Sequence, residues 1–383
     1  MKATFWDDVD ALAVRSRGRT EGAEELRRLA DVVIDEAAAA DIFSMVTPTS
    51  HGGGDGTIHD LADLARRLAH GCTSTAWTLT FLAMHNWLLA RFPVPLHDEV
   101  WADRAYALAP APLAPGGSAE MVDGGIRLSG TWEWATGVMH ADWVIVHAMV
   151  DPANVDLRFA AVPIDEVVVH DVWHTAGMRA TGSNTVALTD VFVAEHRLVP
   201  SSDFMGAGGT LGGYPLAAYP VIPVLALVAA APALGAAERS VELATDRMRD
   251  RVLAYTLGER QVDAGPSRAR LAAAVGQVRA ARDRWEAALA SLDDAVAGGV
   301  AHDLVRRADW RLAATTVVDL SRRAIDDLAV GAGASVYFED HPLQRYQRDV
   351  NTLKGHAIFD WDRTMDTVGK VQLGLDPGPT AML

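Results

Sequence analysis

The stretch 344–356, QRYQRDVNTLKGH, decides the fold of this chain of 383 residues. It contains an adjacent Arg-Asp pair at 348–349 and ends in the tripeptide Lys-Gly-His. A glycine-rich break at 331–335 precedes it, and a helix is predicted before that break, from about 310 to 329. The tail segment therefore closes a helical region of the chain.

Two apolar patterns upstream belong to the same helical region. The segment 214–237 carries no charge, and its length would suit a membrane span. Four prolines punctuate it and basic flanks are missing, which favours a loop followed by a buried central helix. The second pattern repeats in steps of three and four, interrupted by Arg282, and predicts a long bundle helix. Its apolar positions are Leu271, Val275, Val278, Trp285, Leu289, Leu292 and Val296.

Two consecutive helices are predicted between residues 57 and 92. Thr57 is the expected N-cap of the first helix and Gly71 its expected end, while Thr73 or Ser74 caps the second. Both helices have an apolar face at helical spacing. The faces carry Leu61, Leu64, Ala65 and Leu68 in the first helix, and Trp77, Phe81, His85 and Leu88 in the second.

The middle of the chain changes to a period of two. Between 126 and 134, apolar or small residues alternate with polar ones, which is typical of a half-buried strand. Further strands are predicted over 143–150, 157–162, 167–172 and 185–193. Short strands separated by Gly, Asp and Pro predict a small β-barrel or sandwich.

Helices, then strands, then helices predict an α+β architecture in which a β domain lies between two helical ones. We expect an N-terminal helical domain at 1–104 and a central β domain at 105–205. A C-terminal helical bundle, which includes the tail segment, would then occupy 206–383.

Composition limits the partners and the compartment. The chain has 50 Asp+Glu against 34 Lys+Arg, and its net charge of −16 repels nucleic acid and anionic membranes, so neither is an expected partner. A single cysteine, Cys72, excludes an internal disulfide framework. The N-terminus lacks the basic-then-apolar order of a signal peptide. We therefore expect a cytoplasmic protein.

Four segments carry a resemblance to a known family. They are 77–92, with His85-Asn86-Trp87; 128–137, LSGTWEWATG; 177–184, GMRATGSN; and the tail with its Arg-Asp pair and histidine. Their order and spacing resemble the class D flavin-dependent monooxygenases of the acyl-CoA dehydrogenase superfamily. The resemblance covers nearly the whole chain, and it implies an acyl-CoA dehydrogenase-like fold and a homo-oligomer, expected to be a tetramer.

The resemblance also implies cofactor contacts. The strand that runs against the flavin ring would contribute Trp134, Ala135 and Thr136, and the helix before it Trp77. Ala111 would lie in a companion strand where the family often has hydroxyl residues, so polar contacts there would have to come from the backbone. The resemblance assigns Arg251 to the flavin phosphate, and Gly333 and Ser335 to the cofactor of a neighbouring subunit. Thr181 and Ser183 are further candidates for phosphate contact, because the small residues of 181–184 expose backbone N–H groups.

A purely structural role is an alternative to cofactor contact or catalysis for each of these residues, and both explanations stay open. Cross-strand packing explains tryptophans in a strand, and a plain turn explains 181–184. A helix C-cap explains the glycines of 331–334. A solvated helix face explains at least two of Arg247, Arg249 and Arg251. His85 could be a core histidine that is hydrogen-bonded within an apolar stripe.

The tail separates this chain from the dehydrogenases it resembles. Nine positions after Arg348, where medium-chain acyl-CoA dehydrogenases place a glutamate base, the chain has Ala357, which cannot remove a proton. The resemblance then implies an oxygenase in which reduced flavin, FAD or FMN, reacts with O2 to give a hydroperoxyflavin. That species would hydroxylate a phenol-like or indole-like aromatic substrate. A separate reductase would supply the reduced flavin, because no nicotinamide-binding fingerprint is present.

Histidine suits the proton transfer, since its ordinary pKa is about 6.5. His356 is assigned as the base that deprotonates the substrate, and His85 as the group that orients the substrate or the peroxide. The two roles can be exchanged.

Two other functions stay open. The chain could be an acyl-CoA dehydrogenase whose base has moved to Glu238 or Glu242, on the predicted central helix. It could also be a non-catalytic flavin-fold protein that binds a metabolite or a partner. No spacing of histidines and carboxylates predicts a metal site.

Overall fold

A computed structural model describes residues 1–153, 155–206, 213–378 and 381–383. Helices come first: α1 (Phe5–Arg17), α2 (Thr20–Leu26), α3 (Asp31–Ala39), α4 (Ile58–Ala69), α5 (Thr73–Leu89) and α6 (Val94–Val100). Strands follow: β1 (Pro115–Val122), β2 (Gly125–Ala135), β3 (Trp143–Asp151), β4 (Asp156–Pro163), β5 (Val168–His170), β6 (Asn184–Ala194) and β7 (Leu198–Pro200). Helices close the chain: α7 (Ser201–Met205), α8 (Val221–Asp250), α9 (Gly265–Ala297), α10 (Leu304–Ala332), α11 (Pro342–Leu353) and α12 (Trp361–Gln372).

The α+β prediction is confirmed by this order of elements. The predicted domain boundary at 104 falls between α6 and β1, and the one at 205 falls at the end of α7. The division into domains stays a prediction.

The start of α4 follows from its sequence. Thr57 caps the helix, and its side chain and that of Asp60 each accept from the other residue's backbone N–H, which makes a capping box. Helix α5 begins differently from the prediction, because Thr73 already lies inside the helix and Cys72 holds the N-cap position. The reason is the tight turn before it: a Cβ on Gly71 would lie 2.0 Å from the carbonyl oxygen of Ala13. This contact leaves Cys72 as the extended residue at the helix entrance.

The strands form one sheet in the order β5-β6-β2-β1-β3-β4-β7 within the described residues. β1 and β3 run parallel, and the other neighbours are antiparallel. Ile126, Leu128 and Trp132 of β2 are buried as the alternation predicts. The pairing of β2 with β6 then shifts between Trp132 and Ala135. This irregularity turns Trp134 outward, with φ +63° and 62% of its surface exposed.

Two strands were not predicted. β1 begins Pro-Gly-Gly and lacks an apolar alternation, and β7 has only three residues. The glycines of β1 have a packing role, because a Cβ on Gly117 would lie 2.3 Å from the Trp132 ring. β1 therefore makes room for a buried tryptophan instead of contributing large side chains of its own.

Helix α8 is the centre of the C-terminal bundle. It packs against α9 and α10 and also against α4 of the N-terminal helices. Its close approach to α4 requires Gly235, where a Cβ would lie 2.0 Å from the carbonyl oxygen of Arg66. Of the helices described, α8 alone has the length and apolarity to cross a membrane, and 94% of its apolar window is buried inside the protein. The predicted loop and buried central helix over 214–237 are confirmed.

Candidate active site

A wall of aromatic rings runs along one face of α5. Trp77, Phe81 and His85 are spaced four residues apart, so their side chains follow one another along the helix. Trp77 stacks on Phe81 at a centroid distance of 4.4 Å, and Phe81 meets His85 edge-on at 5.7 Å. The ring of His356, from the tail, meets the Trp77 ring edge-on at a centroid distance of 5.6 Å. The two predicted catalytic histidines therefore lie at opposite ends of a continuous wall of rings.

The proton of His85 is held on its Nδ1 atom. Nδ1 lies 2.7 Å from the carbonyl oxygen of Ala109, and a carbonyl can only accept, so Nδ1 donates. In the neutral ring Nε2 then carries the lone pair, and no described residue hydrogen-bonds it. Only 3% of His85 is exposed, and burial lowers its pKa to about 4. His85 is therefore a neutral hydrogen-bond acceptor at neutral pH.

His356 carries its proton on the other nitrogen. Its Nδ1 accepts the backbone N–H of Ile358 at 3.3 Å, where the side chain caps the short turn Ala357–Phe359. A backbone N–H can only donate, so the neutral ring of His356 keeps its proton on Nε2. Desolvation by the surrounding protein lowers the pKa of His356 to about 4, although the residue is exposed to solvent. Water around the exposed residue offsets part of this shift, and a ligand that displaces the water would restore it.

Asn86 positions the segment that holds His85. Its side-chain oxygen accepts the N–H of Ala107 at 2.8 Å and the indole N–H of Trp101 at 3.0 Å. Its amide donates to the carbonyl oxygens of Phe43 and Ala107, each at 3.1 Å. The segment ending at Ala109 is fixed in this way, and with it the acceptor for His85. The sequence signal was a lone amide in an apolar helix, and it was not used in the prediction.

Hydroxyl groups lie at the indole N–H of Trp77. The indole N–H donates to Thr136 Oγ1 at 3.3 Å, and Thr136 Oγ1 lies 2.8 Å from Ser183 Oγ. Ser183 Oγ lies 2.8 Å from Thr181 Oγ1. The backbone supports this arrangement, since Gly137 N–H donates to the carbonyl oxygen of Thr181 at 3.0 Å. Thr136, Thr181 and Ser183 therefore form one buried cluster with Trp77, although the sequence separates them into three segments.

Two further predicted positions, Trp134 and Ala135, adjoin this cluster in sequence, and a third, Ala111, lies beside β3. Ala135 is buried at the end of β2, and Trp134 beside it exposes its ring. Ala111 is partly buried and follows Pro110, whose carbonyl oxygen accepts the N–H of Ile145 at 2.9 Å. The segment around Ala111 thus runs beside β3 without being a regular strand, and its polar groups are backbone groups, as predicted for a run of alanine and proline.

Arg251, Gly333 and Ser335 form a separate group where α8 and α10 end. Arg251 donates to the carbonyl oxygen of Ala332, and its guanidinium lies against Gly333, which has φ +73°. Ser335 is contacted by Arg247, at 2.6 Å. Among the described residues, no hydrogen bond, ion pair or ring contact joins this group to the hydroxyl cluster.

The charge at this second group suits an anion. Burial and the charge of Arg251 lower the pKa of Arg247, which means that two cations lie close together there. Each guanidinium group can bind two oxygens of a phosphate at once. Arg249 instead pairs with Asp246 at 3.0 Å on the exposed surface, so the solvated-face explanation holds for it.

Glu238 and Glu242, the two candidate bases of an acyl-CoA dehydrogenase, are both held in ion pairs. Glu238 lies 2.8 to 2.9 Å from His70, Arg66 and Arg282, in a network that joins α4, α8 and α9. Burial alone would raise the pKa of Glu238, but the His70 hydrogen bond and the charges of Arg66 and Arg282 outweigh it and lower the pKa to about 2. Glu242 is half-exposed and pairs with Arg239 at 2.6 Å. A carboxylate held in this way is a poor proton acceptor.

Comparisons with known proteins agree with this geometry. The model of the acyl-CoA dehydrogenase C-terminal domain matches residues 227–361. The oxygenase component of p-hydroxyphenylacetate 3-hydroxylase from Acinetobacter baumannii is 32% identical over 369 residues, which are 94% of this chain and 86% of that protein. The flavin-dependent monooxygenase oxygenase subunit HsaA of Mycobacterium tuberculosis is 30% identical over 97% of this chain and 96% of its own length.

Among solved structures, XiaF from Streptomyces sp. in complex with FADH2 and glycerol superposes with a TM-score of 0.93. It is 31% identical, and the match covers 98% of this chain and 96% of XiaF. The chain belongs to the oxygenase components of the flavin-dependent monooxygenases, which have the acyl-CoA dehydrogenase fold. It is an enzyme that uses reduced flavin and O2, and the reduced flavin comes from a separate reductase.

The residues of this site suit a flavin. The ring of the exposed residue His356 packs against the Trp77 ring, and the exposed ring of Trp134 adjoins the Thr136 hydroxyl cluster. A planar, partly polar ring system needs such flat apolar surfaces together with a few fixed hydrogen-bonding groups. Trp134 has a backbone conformation that bulky residues rarely adopt, and such strained residues cluster at ligand sites.

Proposed function

We propose that this enzyme hydroxylates a small aromatic substrate of the phenol or indole type, with His85 as the base. The observation that carries this proposal is the opposite placement of protons on the two histidines. Nε2 of His85 has a free lone pair, which suits a substrate O–H or N–H. Nε2–H of His356 is a donor at the other end of the same wall. This is the exchanged form of the sequence assignment, in which His356 was the base.

Each part of the site has a definite task in this reaction. Reduced flavin, when bound, supplies the electrons and activates O2 for the transfer of one oxygen atom to the ring. His85 accepts the substrate proton and increases the electron density of the aromatic ring. His356, which is exposed to solvent, donates a hydrogen bond from Nε2 to the bound ligand. Trp77 and Phe81 offer a flat apolar surface and exclude water, which prevents side reactions of reactive intermediates with water.

The relatives support the substrate class. Their names include p-hydroxyphenylacetate 3-hydroxylase, an FADH(2)-dependent resorcinol hydroxylase from Rhizobium sp., and an indole-3-acetate monooxygenase from Pseudomonas putida. These substrates share an aromatic ring that carries a phenolic O–H or an indole N–H. We also propose FAD as the flavin, because the resorcinol hydroxylase is named FADH(2)-dependent and XiaF holds FADH2.

We propose a cytoplasmic homotetramer as the working form. Cys72 is a buried free thiol, consistent with a reducing compartment. An arm between α8 and α9 exposes Tyr255 and Leu257 completely, with their surfaces 109% and 110% accessible. Such apolar side chains need a cover, and a second copy would supply it. The cationic group at Arg247 and Arg251 would then contact flavin phosphates, in line with its separation from the hydroxyl cluster.

The test is rapid mixing of enzyme, loaded anaerobically with reduced FAD and one of a set of phenols and indoles, with oxygenated buffer. We expect hydroxylated product, and His85→Ala should lower the hydroxylation rate by about 10²- to 10⁴-fold, the usual contribution of a general base. His302→Ala, at an exposed position, is the control. A His85→Ala rate within about threefold of wild type would exclude His85 as the base. Absence of product from every phenol and indole would exclude the substrate class.

A further inference from the structure

A buried chain of hydrogen bonds runs from Trp77 to the backbone of Met178. Its links are Trp77 Nε1 to Thr136 Oγ1, Thr136 Oγ1 to Ser183 Oγ, Ser183 Oγ to Thr181 Oγ1, and Thr181 Oγ1 to the Met178 carbonyl oxygen. The last link measures 3.1 Å. Thr136, Ser183 and Thr181 are exposed by 8%, 4% and 1%. With so little water present, the protein itself decides where each hydroxyl proton points.

The two ends of the chain fix the direction of every proton. An indole N–H can only donate and a carbonyl oxygen can only accept. The Thr181 proton therefore goes to Met178, the Ser183 proton goes to Thr181, and the Thr136 proton goes to Ser183. Any other order leaves one buried bond unmade. In the order that satisfies all four bonds, Thr136 Oγ1 has no proton left to offer and acts only as an acceptor.

The carbonyl end of the chain is held firmly. The Met178 carbonyl oxygen also accepts from the indole of Trp173 at 2.9 Å, and the Met178 N–H donates to Asp349 Oδ1 at 2.7 Å. Asp349, in the Arg-Asp pair of the tail, is 1% exposed. Met178 has φ +54°, and a Cβ on Gly177 would lie 2.2 Å from the carbonyl oxygen of Arg348. The tail helix α11 thus anchors the loop that orients the hydroxyl chain.

We propose that this oriented chain makes Thr136 a hydrogen-bond acceptor toward the flavin and so selects reduced over oxidised flavin. Reduction converts the ring nitrogen N5 from an acceptor into an N–H donor. An obligate acceptor matches the reduced ring and opposes the lone pair of the oxidised ring. The proposal rests on the flavin site described above, with Thr136 at the edge of the ring. It assigns Ser183 and Thr181 as positioning residues that act through Thr136.

The test measures the anaerobic Kd of FADH2 and the Kd of FAD for wild type and for two variants. Ser183→Ala removes the acceptor of the Thr136 proton, and Thr181→Val removes the acceptor of the Ser183 proton, which then turns to Thr136. Both changes free the Thr136 proton to donate to oxidised flavin. We expect the preference for reduced flavin to fall about tenfold in each, the factor that one hydrogen bond of 1.4 kcal/mol gives. The midpoint potential of bound flavin should fall by about 30 mV.

Thr78→Val is the matched control. Thr78 is buried beside Gly137, and its hydroxyl has no hydrogen-bond partner among the described residues. The Thr78→Val variant should prefer reduced over oxidised flavin by the same factor as wild type. An unchanged preference in both Ser183→Ala and Thr181→Val, with wild type binding FADH2, would overturn the proposal and leave the monooxygenase function intact. If wild type bound neither flavin, the flavin site itself would be wrong.

Discussion

His85 and His356 carry their ring protons on opposite nitrogens. Nδ1 of His85 donates to the carbonyl oxygen of Ala109, whereas Nδ1 of His356 accepts the N–H of Ile358. The two Nε2 atoms therefore differ, since one is an acceptor and the other a donor. Backbone groups impose this difference, so it persists as long as both rings stay neutral.

A pH profile checks the neutrality of these rings. Burial lowers the pKa of His85 to about 4, below the ordinary value of 6.5, so the ring stays neutral from about pH 5.5 upward. Neutral His85 contributes stability that is complete above pH 6.5 and is lost as the pH falls toward 4. For an indole substrate, which does not ionise in this range, we expect a hydroxylation rate that is flat from pH 5.5 to 8. An acid limb near pH 6.5 that disappears in His85→Ala would contradict this.

Replacing Asn86 should affect stability and chemistry together. Asn86→Leu leaves the N–H of Ala107 and the indole N–H of Trp101 without acceptors in the core. At about 1–3 kcal/mol for each unsatisfied group, we expect a loss of about 2–6 kcal/mol in unfolding free energy. The turnover rate should fall further than flavin affinity, because the Ala109 segment loosens around His85. Urea unfolding and flavin titration measure the two effects, and Gln372→Leu at an exposed position should stay within about 0.5 kcal/mol.

Glu238 should act as a structural ion pair and not as a catalytic base. Its pKa is lowered from 4.5 to about 2, so its stabilising charge is present above pH 4.5 and is lost as the pH falls through 2. The shift corresponds to about 3 kcal/mol. We expect Glu238→Gln to lower the unfolding free energy by about 3–5 kcal/mol at pH 7, because buried cations lose their partner. The deficit should shrink toward pH 2.

Asp246→Asn is the control for this change, since Asp246 forms only an exposed surface pair with Arg249, worth about 0–1 kcal/mol. Equal effects of the two substitutions at pH 7 would show that the Glu238 network is not stabilising.

The arm between α8 and α9 should hold the oligomer together. Tyr255 and Leu257 are fully exposed in a single chain. Full burial of such a side chain stabilises an assembly by about 1.5–3 kcal/mol. A variant with Tyr255→Ser and Leu257→Ser should dissociate at concentrations at which wild type stays assembled, as measured by sedimentation velocity. Val14→Ser changes an exposed apolar residue on α1 and should leave assembly unchanged. Wild type that sediments as a monomer would contradict the prediction.

Much of the fold could be predicted from periodicity and end signals. The Thr57 cap and the apolar face of α4 are confirmed, because local hydrogen bonds and helical spacing are visible in a single segment. The single apolar face predicted for α5 is wrong, because that helix is buried on all sides and only Phe81 is partly exposed. β1 could not be found in the same way. Its Pro-Gly-Gly start has no strand pattern, and its reason to exist is the ring of Trp132, which comes from another strand.

The site was less accessible to prediction because its key partners are backbone atoms. Residue types point to His85 and His356, but their tautomers depend on the carbonyl of Ala109 and the N–H of Ile358, which have no side-chain signature. The hydroxyl chain likewise needs three distant segments in contact. The Arg-Asp pair marked the tail, yet its contact with the loop at Met178 appears only in the folded chain.

The outward turn of Trp134 provides an optical probe. It is the most exposed tryptophan among the described residues, so its emission reports a watery environment, whereas Trp77, Trp87 and Trp132 are buried. A flavin that covers this ring would quench its fluorescence by energy transfer, because flavins absorb where tryptophan emits. Titration of the unlabelled protein would then give cofactor affinity directly, and Trp134→Phe should remove the largest part of the signal.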